Sequence, residues 1–317
     1  MLQIKNKKNE MDNVQKTKTK WVAVDWGTSN LRAWIMGADA TILQECASDD
    51  GMGALAPDQF ETALLALISP YLVAGQTTPV VACGMVGARQ GWTEAEYATV
   101  PCTPPSVEQA TPAPVTDPRL DVRILPGVSQ LAPADVMRGE ETQIAGFLAK
   151  YPNFDGVLCL PGTHSKWARI SAGEIVSFQT FMTGELFALL AGSSVLRHSV
   201  DTKDHDQESF LAAMRDAMSN PERVGARLFS IRAGSLVSDL GPAAARATLS
   251  GLLIGLEMAG ARPYWLGMDI AIIGTTSLAD LYRQALADQG VDPKMTDTTE
   301  MTLAGLTAAY REWKESK

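Results

Sequence analysis

The sequence predicts an α/β protein built as two domains, each a mixed sheet flanked by helices. Three observations lead there. The chain of 317 residues is long enough for two ordinary cores. Each half opens on an apolar strand, a Gly-Thr turn and a second apolar strand, VAVDWGTSNLRAW early and VLCLPGTHSKWARI later. After each hairpin come segments whose apolar residues recur at helical spacing.

Composition narrows the class. With 46% hydrophobic and 20% charged residues, the chain has the balance of a globular enzyme and not of a disordered or membrane-embedded one. Its most apolar long run, 243–261, is interrupted by Arg246 and Glu257 and reads as a core helix, so no membrane partner is expected. A net charge of -9 lacks the excess of Lys and Arg that nucleic-acid phosphates attract, which argues against nucleic acid as a partner. Cys46, Cys83, Cys102 and Cys159 form no C-x-x-C pair, a pattern that speaks against a zinc or disulfide framework and for a reducing, cytoplasmic setting.

Residues 1–20, rich in Lys, Asn and Gln without an apolar run, are expected to form a disordered basic tail. The first domain is expected over 21–150. Its hairpin leads to a third strand at 41–47 and a helix at 57–71 that opens on Pro57. PVVACG then reads as a buried strand entering a Gly-rich turn, 101–118 as an irregular loop rich in Pro and Thr, and 122–125 as a strand. The spacing in DVMRGEETQIAGFLAK predicts one helix over 135–150, capped by Asp135. The second domain is expected over 151–317. It repeats the strand, Gly-Thr turn and strand, adds a strand in GEIVSFQ, and continues with helices at 184–191, 207–218, 222–231 and 242–261. The strand DIAIIG and helices at 278–289 and 300–314 complete it.

Three turns carry the chemistry. Asp25 ends the first strand, and Gly27, Thr28, Ser29 and Asn30 after it offer amides and hydroxyls that can cradle a phosphate. Magnesium keeps most of its hydration shell and needs only one or two carboxylates, so Asp25 can hold Mg2+ through water. The segment is also readable as an ordinary hairpin whose Asp caps the turn. Gly162, Thr163, His164 and Ser165 repeat this setting in the second half, with Lys166 as added charge or as a solvated strand residue. His164 is assigned to the shape of the turn before any general-base duty. Gly274, Thr275, Thr276 and Ser277 lie between a buried strand and a helix, where a nucleotide packs at the carboxyl end of a sheet, although such turns are common. Neither G-x-G-x-x-G nor G-x-x-x-x-G-K-S/T occurs, so neither a dinucleotide fold nor a Walker-type site is supported.

In this order the turns resemble the phosphate-1, phosphate-2 and adenosine motifs of the actin, Hsp70 and sugar-kinase superfamily. VAVDWGTSNLRAW, GMVGARQGW, MRGEETQIAG, LPGTHSKW, FMTGEL and SGLLIGLE together resemble the 2-dehydro-3-deoxygalactonokinase family across nearly the whole chain from Trp21 onward. The resemblance implies two actin-like (ribonuclease H-like) domains with an active-site cleft between them. It also implies ATP and Mg2+, and transfer of the γ-phosphoryl group to a small sugar acid, 2-dehydro-3-deoxygalactonate.

Gly139-Glu140 occupies the place of an acidic residue ahead of the phosphate-2 hairpin in related kinases, which implies Glu140 as the carboxylate that takes the acceptor hydroxyl's proton. Glu141 and Asp25 are the alternatives. Cys83 to Trp92 corresponds to the segment lining the sugar pocket, with Gly84 and Met85 in its wall, Arg89 on the carboxylate and Trp92 on the carbon chain. Arg138 and Glu141 join this substrate set, and Thr183, Gly184 and Glu185 complete the pocket. Read without the resemblance, Arg138, Glu140 and Glu141 form a solvated helix face, Arg89 is a surface residue and Trp92 a core anchor. A kinase of another sugar or sugar acid is the main alternative. A nucleotide-dependent structural protein of the superfamily is disfavoured because no added domain or coiled coil is visible. A homo-oligomer is compatible with each reading.

Overall fold

The computed structural model describes residues 18–316. It divides into two compact units, Met1–Asn153 with Thr299–Lys317, and Phe154–Thr298. Most of the expected tail, 1–17, lies outside the described residues. Thr19 is buried and the Lys20 N–H donates to Met36 O at 2.8 Å, so strand pairing begins ahead of Trp21.

In the first unit, β1 (Trp21–Trp26), β2 (Leu31–Met36) and β3 (Ile42–Ser48) form an antiparallel meander. Beside β1 run β4 (Thr78–Gly84) and β7 (Leu120–Ile124), both parallel, and then the short β6 (Thr111–Pro112). A small sheet of β5 (Tyr97–Thr99), β8 (Gly127–Leu131) and β9 (Ala134–Met137) stands apart. Strand β1 alternates its side chains between two apolar layers. Val22, Val24 and Trp26 meet Phe60, Leu64 and Ile68 of α1 (Phe60–Ile68). Trp21 and Ala23 meet Leu306, Ala309 and Trp313 of the C-terminal helix α9 (Thr298–Glu315). Covered on both faces, β1 reads as a nearly continuous apolar run, as a central parallel strand should.

Two expectations change here. The single helix over 135–150 is instead strand β9 followed by α2 (Glu140–Lys150). Residues 134–137 pair with β8, and Gly139 at φ 106, in the left-handed region that favours glycine, turns the chain into the helix. Asp135 therefore caps no helix; its Oδ1 accepts the Val136 N–H. The last helix, expected in a second domain over 151–317, belongs to the first unit. Its apolar stripe covers the β1 sheet, where Tyr310 stacks on Trp21 with ring centroids 4.4 Å apart. The loop over 101–118 carries β6 and a short helical turn, Val107–Gln109, and buries Val107 and Ala113.

The second unit repeats the strand order. Antiparallel β10 (Gly156–Leu160), β11 (Ser165–Ser171) and β12 (Glu174–Phe181) are joined by parallel β13 (Ile270–Gly274) and β14 (Lys294–Asp297), giving β12-β11-β10-β13-β14 against β3-β2-β1-β4-β7 in the first. The two sheets therefore share one strand order. Its helices are α3 (Thr183–Ser193), α4 (Gln207–Ser219), α5 (Val224–Val237), α6 (Pro242–Gly260), α7 (Arg262–Trp265) and α8 (Thr276–Asp288). Val157, Cys159 and Trp167 pack with Phe210, Met214, Ile254, Met258 and Tyr282 in the core. Among the described residues, no helix is long and apolar enough to cross a membrane.

Candidate active site

Because β1 and β4 are parallel neighbours, the turns leaving their carboxyl ends lie side by side. Asp25 stands opposite Cys83 in β4 and Arg32 in β2. Arg32 Nη2 donates to Asp25 Oδ2 at 2.5 Å, and Arg32 Nη1 to Thr299 Oγ1 at 3.2 Å. The turn after Asp25 is closed by the Gly27 N–H on Asn30 O at 2.9 Å. It is braced from outside by the Met52 N–H on Gly27 O and the Gly53 N–H on Thr28 O, also at 2.9 Å. Gly51 makes this bracing possible, since a Cβ there would lie 2.2 Å from the Ser29 carbonyl carbon. Thr28, Ser29 and Asn30 are left exposed. Asp25, Gly27, Asn30, Arg32 and Asp49 help line a cavity of 520 Å³. Among the described residues, no cluster of three or more His, Cys, Asp or Glu suits a metal. The oxygen donors at the turn suit an ion that arrives hydrated and phosphate-bound, as Mg2+ does.

The N-terminus of α2 comes to the same sheet end, where a Cβ on Gly139 would sit 3.4 Å from Gly84 Cα. Glu140 is half-buried, and its Oε2 accepts the Arg138 N–H at 3.1 Å. Glu141 is 1% exposed, and both its oxygens accept the Gly139 N–H, at 2.9 and 2.7 Å. Burial, with the Glu140 charge second, pushes the Glu141 carboxyl up to about 7. Expected in the substrate set, Glu141 is an internal brace for the turn that presents Glu140. Arg138 is also buried, so it forms no solvated face. Its Nη2 donates to Ala95 O at 2.8 Å, its guanidinium lies 4.2 Å from the Tyr97 ring centroid, and Nε and Nη1 make no hydrogen bond.

The segment after β4 divides. Gly84 and Met85 stand at the sheet end and Arg89 is exposed. Trp92 is 7% exposed; it stacks on Phe60 with centroids 6.2 Å apart and meets Trp26 edge-on at 6.1 Å. It serves the core, against the expectation that it packs on a carbon chain.

In the second unit, β10 and β13 are parallel neighbours, and the turn at Pro161 meets Gly274. The N-terminus of α3 backs the 162–164 turn. A Cβ on Gly184 would lie 2.3 Å from Gly162 O, and the Glu185 N–H donates to Thr163 O at 2.9 Å. His164 Nε2 pairs with Glu185 Oε2 at 2.6 Å on the surface. Thr163, Thr275, Thr276 and Ser277 are exposed. Gly162, Thr163, Gly184, Arg246, Ser277 and Tyr282 are among the residues lining a cavity of 640 Å³.

Two expected phosphate contacts face inward instead. Ser165 is fully buried with its Oγ 2.8 Å from Tyr282 Oη, and Lys166 is 5% exposed with Nζ donating to His164 O at 3.1 Å. Both residues already lie in β11, which is covered on both faces, so neither side chain shares the exposure of the turn.

Two residues were given no site role in the sequence reading. The signal for Arg32 is the four-residue turn, which sets a register placing it opposite Asp25. The signal for Glu257 is an acid inside the otherwise apolar run of α6, where it is 1% exposed and accepts Trp167 Nε1–H and Tyr282 Oη–H.

The profile of a family described as 2-keto-3-deoxy-galactonokinase matches residues 25–309. A Rhizobium meliloti (strain 1021) protein described as a probable 2-dehydro-3-deoxygalactonokinase is 43% identical over 301 residues, covering 92% of this chain and 96% of its own. The 2-dehydro-3-deoxygalactonokinase of Escherichia coli (strain K12) is 35% identical over 277 residues, covering 86% and 91%. A Sinorhizobium meliloti crystal structure assigned to the same activity superposes with a TM-score of 0.85 at 42% identity, covering 92% of this chain and 99% of that one. The matched span runs from Asp25 through the Glu140 turn and both turns of the second unit, and the chain belongs to the 2-keto-3-deoxy-galactonokinase family.

Proposed function

We propose that this protein transfers the γ-phosphoryl group of ATP to 2-dehydro-3-deoxygalactonate, releasing ADP and 2-dehydro-3-deoxy-6-phosphogalactonate, a step of galactonate breakdown. The observation that carries this reading is the placement of Asp25 and the Glu140 turn at one sheet end in a chain of this family.

Glu140 takes the proton of the 6-hydroxyl as its oxygen attacks the γ-phosphorus and the bond to the ADP oxygen breaks. Glu141 holds the Gly139 amide and so fixes where Glu140 starts its helix. Bound Mg2+ supplies neutralisation of phosphate charge, with Asp25 as the residue that would hold it through water. Thr28, Ser29 and Asn30 in the first unit, and Gly162, Thr163 and Ser277 in the second, offer amides and hydroxyls to phosphate and ribose. Arg246, held over the Phe187 ring at 4.9 Å, adds positive charge to the second-unit cavity. For the sugar carboxylate, Arg89 is the exposed cation of the pocket segment, and Arg138 is a buried cation with Nε and Nη1 unpaired. None of the four cysteines is in a disulfide, a pattern that fits a reducing cytoplasm as the compartment.

The test is coupled ADP release with Mg-ATP against 2-dehydro-3-deoxygalactonate, 2-dehydro-3-deoxygluconate, galactonate, glycerol and hexoses. Turnover confined to the first compound is expected. Glu140→Gln should abolish it while leaving ATP binding intact. Activity on another acid would overturn the substrate, and ATP hydrolysis indifferent to every acid would overturn the kinase reading.

A further inference from the structure

The motif SGLLIGLE ends on Glu257, a carboxylate with no part in the chemistry above. It is 1% exposed, and the partners found for it are neutral donors. Trp167 Nε1–H gives to Oε1 at 2.8 Å and Tyr282 Oη–H to Oε2 at 2.7 Å. The Thr183 side chain also bonds to it. Burial pushes its carboxyl up, and these donors pull it back.

These side chains come from two helices that line the second-unit cavity and from the strand that follows its Gly162 turn. Ser165 and Trp167 follow the Gly162 turn in β11, Tyr282 lies on α8 after Ser277, and Thr183 precedes Gly184 in α3. Burying this acid costs desolvation, which its hydrogen bonds offset, and the same bonds fix the relative positions of the donors.

The direction of the protons follows from an ionised carboxylate being an acceptor only. Tyr282 has one hydroxyl proton and gives it to Glu257. Ser165 therefore donates its own proton to Tyr282 Oη at 2.8 Å, and its oxygen is left to accept the Gly162 N–H at 3.5 Å. Proton order thus runs without a break from α6 to the turn.

We propose that Glu257 is a positioning residue for the nucleotide: by ordering the Tyr282 and Ser165 hydroxyls it holds the 162–165 turn against α8 in the shape that receives the phosphate chain. This rests on the reading of the second-unit cavity as the nucleotide site. Glu257→Gln keeps the shape and keeps an acceptor for Trp167, but puts an NH2 group where Oε2 was. Tyr282 must then accept from it and donate to Ser165, whose proton swings toward the Gly162 N–H, so that two donors meet at the turn.

The experiment is calorimetric titration with Mg-ADP, alongside thermal midpoints, for the wild type, Glu257→Gln, Tyr282→Phe and the double variant. Glu257→Gln should weaken Mg-ADP about thirtyfold and Tyr282→Phe about threefold. Glu257→Gln should add less than about twofold in the Tyr282→Phe background, because the hydroxyl that transmits the reversal is gone. Wild-type affinity in Glu257→Gln, or effects that multiply in the double variant, would overturn the proposal even if the melting temperature falls. If Glu257→Gln does not fold, wild-type affinity in Tyr282→Phe overturns it. A wild type that binds sugar acid but no Mg-ADP would instead remove the nucleotide reading, and this proposal with it.

Discussion

The turn after β1 and the turn after β10 occupy equivalent places in two sheets of the same strand order, yet they manage charge in opposite ways. Each is backed by a glycine from another segment, Gly51 in the first unit and Gly184 in the second, so close that a Cβ would strike backbone at 2.2 or 2.3 Å. Around that shared scaffold, the first turn places an ion pair, Asp25 with Arg32, at the rim of a cavity, the Asp side chain 18% exposed. Behind the second lies Glu257, held by Trp, Tyr and Thr donors. The shape of such a turn comes from backbone contact, and its chemistry from what the adjoining strands and helices place beside it. A partly exposed carboxylate can exchange its partner for a hydrated ion at modest cost, whereas a buried one holding neutral donors is committed to structure.

The largest effect expected from this contrast is on turnover. Asp25→Asn should reduce kcat about a thousandfold, as loss of a group that stabilises transition-state charge does, with the thermal midpoint nearly unchanged. A loss under tenfold would mean that this carboxylate does not hold the phosphate-bound ion. Next comes the shared scaffold. Gly51→Ala and Gly184→Ala should each destabilise by about 3 kcal/mol in urea unfolding, since the new Cβ meets backbone that cannot rotate away. A large loss for one and none for the other would end the structural equivalence of the two turns.

Much of this was legible beforehand, for physical reasons. Strands such as VAVDW and VLCL are covered on both faces and show it as unbroken apolar runs, and the turns between them are bounded by glycine. The failures share a cause. Over 135–150 the helical spacing was real, but pairing with β8 and a positive φ at Gly139 took the first residues, and a periodicity count sees neither. Ser165, Lys166 and Glu141 have side chains suited to phosphate or sugar; their inward direction depends on which faces of a strand or helix are covered, a tertiary fact. Strand β14, KMTD, is short, polar and at a sheet edge, and so carried little apolar signal. That the last helix closes the first unit follows from packing that no local pattern encodes.

The two buried acids, Glu141 and Glu257, extend the comparison to pH. Glu141 ordinarily ionises near 4.5 and is pushed up to about 7 by burial and by Glu140. Between those values the unfolded chain has lost the proton that the folded protein keeps. Raising the pH from 4.5 to 7 therefore draws stability away, by on the order of 3 kcal/mol. Glu141→Gln should flatten this part of the urea-midpoint profile relative to wild type. An unchanged slope would show that Glu141 is already ionised throughout and that its two contacts to the Gly139 N–H outweigh its burial.

The smallest effect is expected at the residue that looks most like a catalyst by type. His164 lies in the second turn, but it is exposed and paired with Glu185 at 2.6 Å, and exposed side-chain pairs contribute little. The turn is held from behind, by Gly184 and by the Glu185 N–H on Thr163 O, through backbone that a side-chain change at 164 does not touch. His164→Ala should therefore alter kcat and the ATP KM by less than about threefold, within what loss of one surface pair allows. A hundredfold fall in kcat with an unchanged ATP KM would move the proton acceptor from Glu140 to His164 and make the second turn, not the first, the seat of acid–base chemistry.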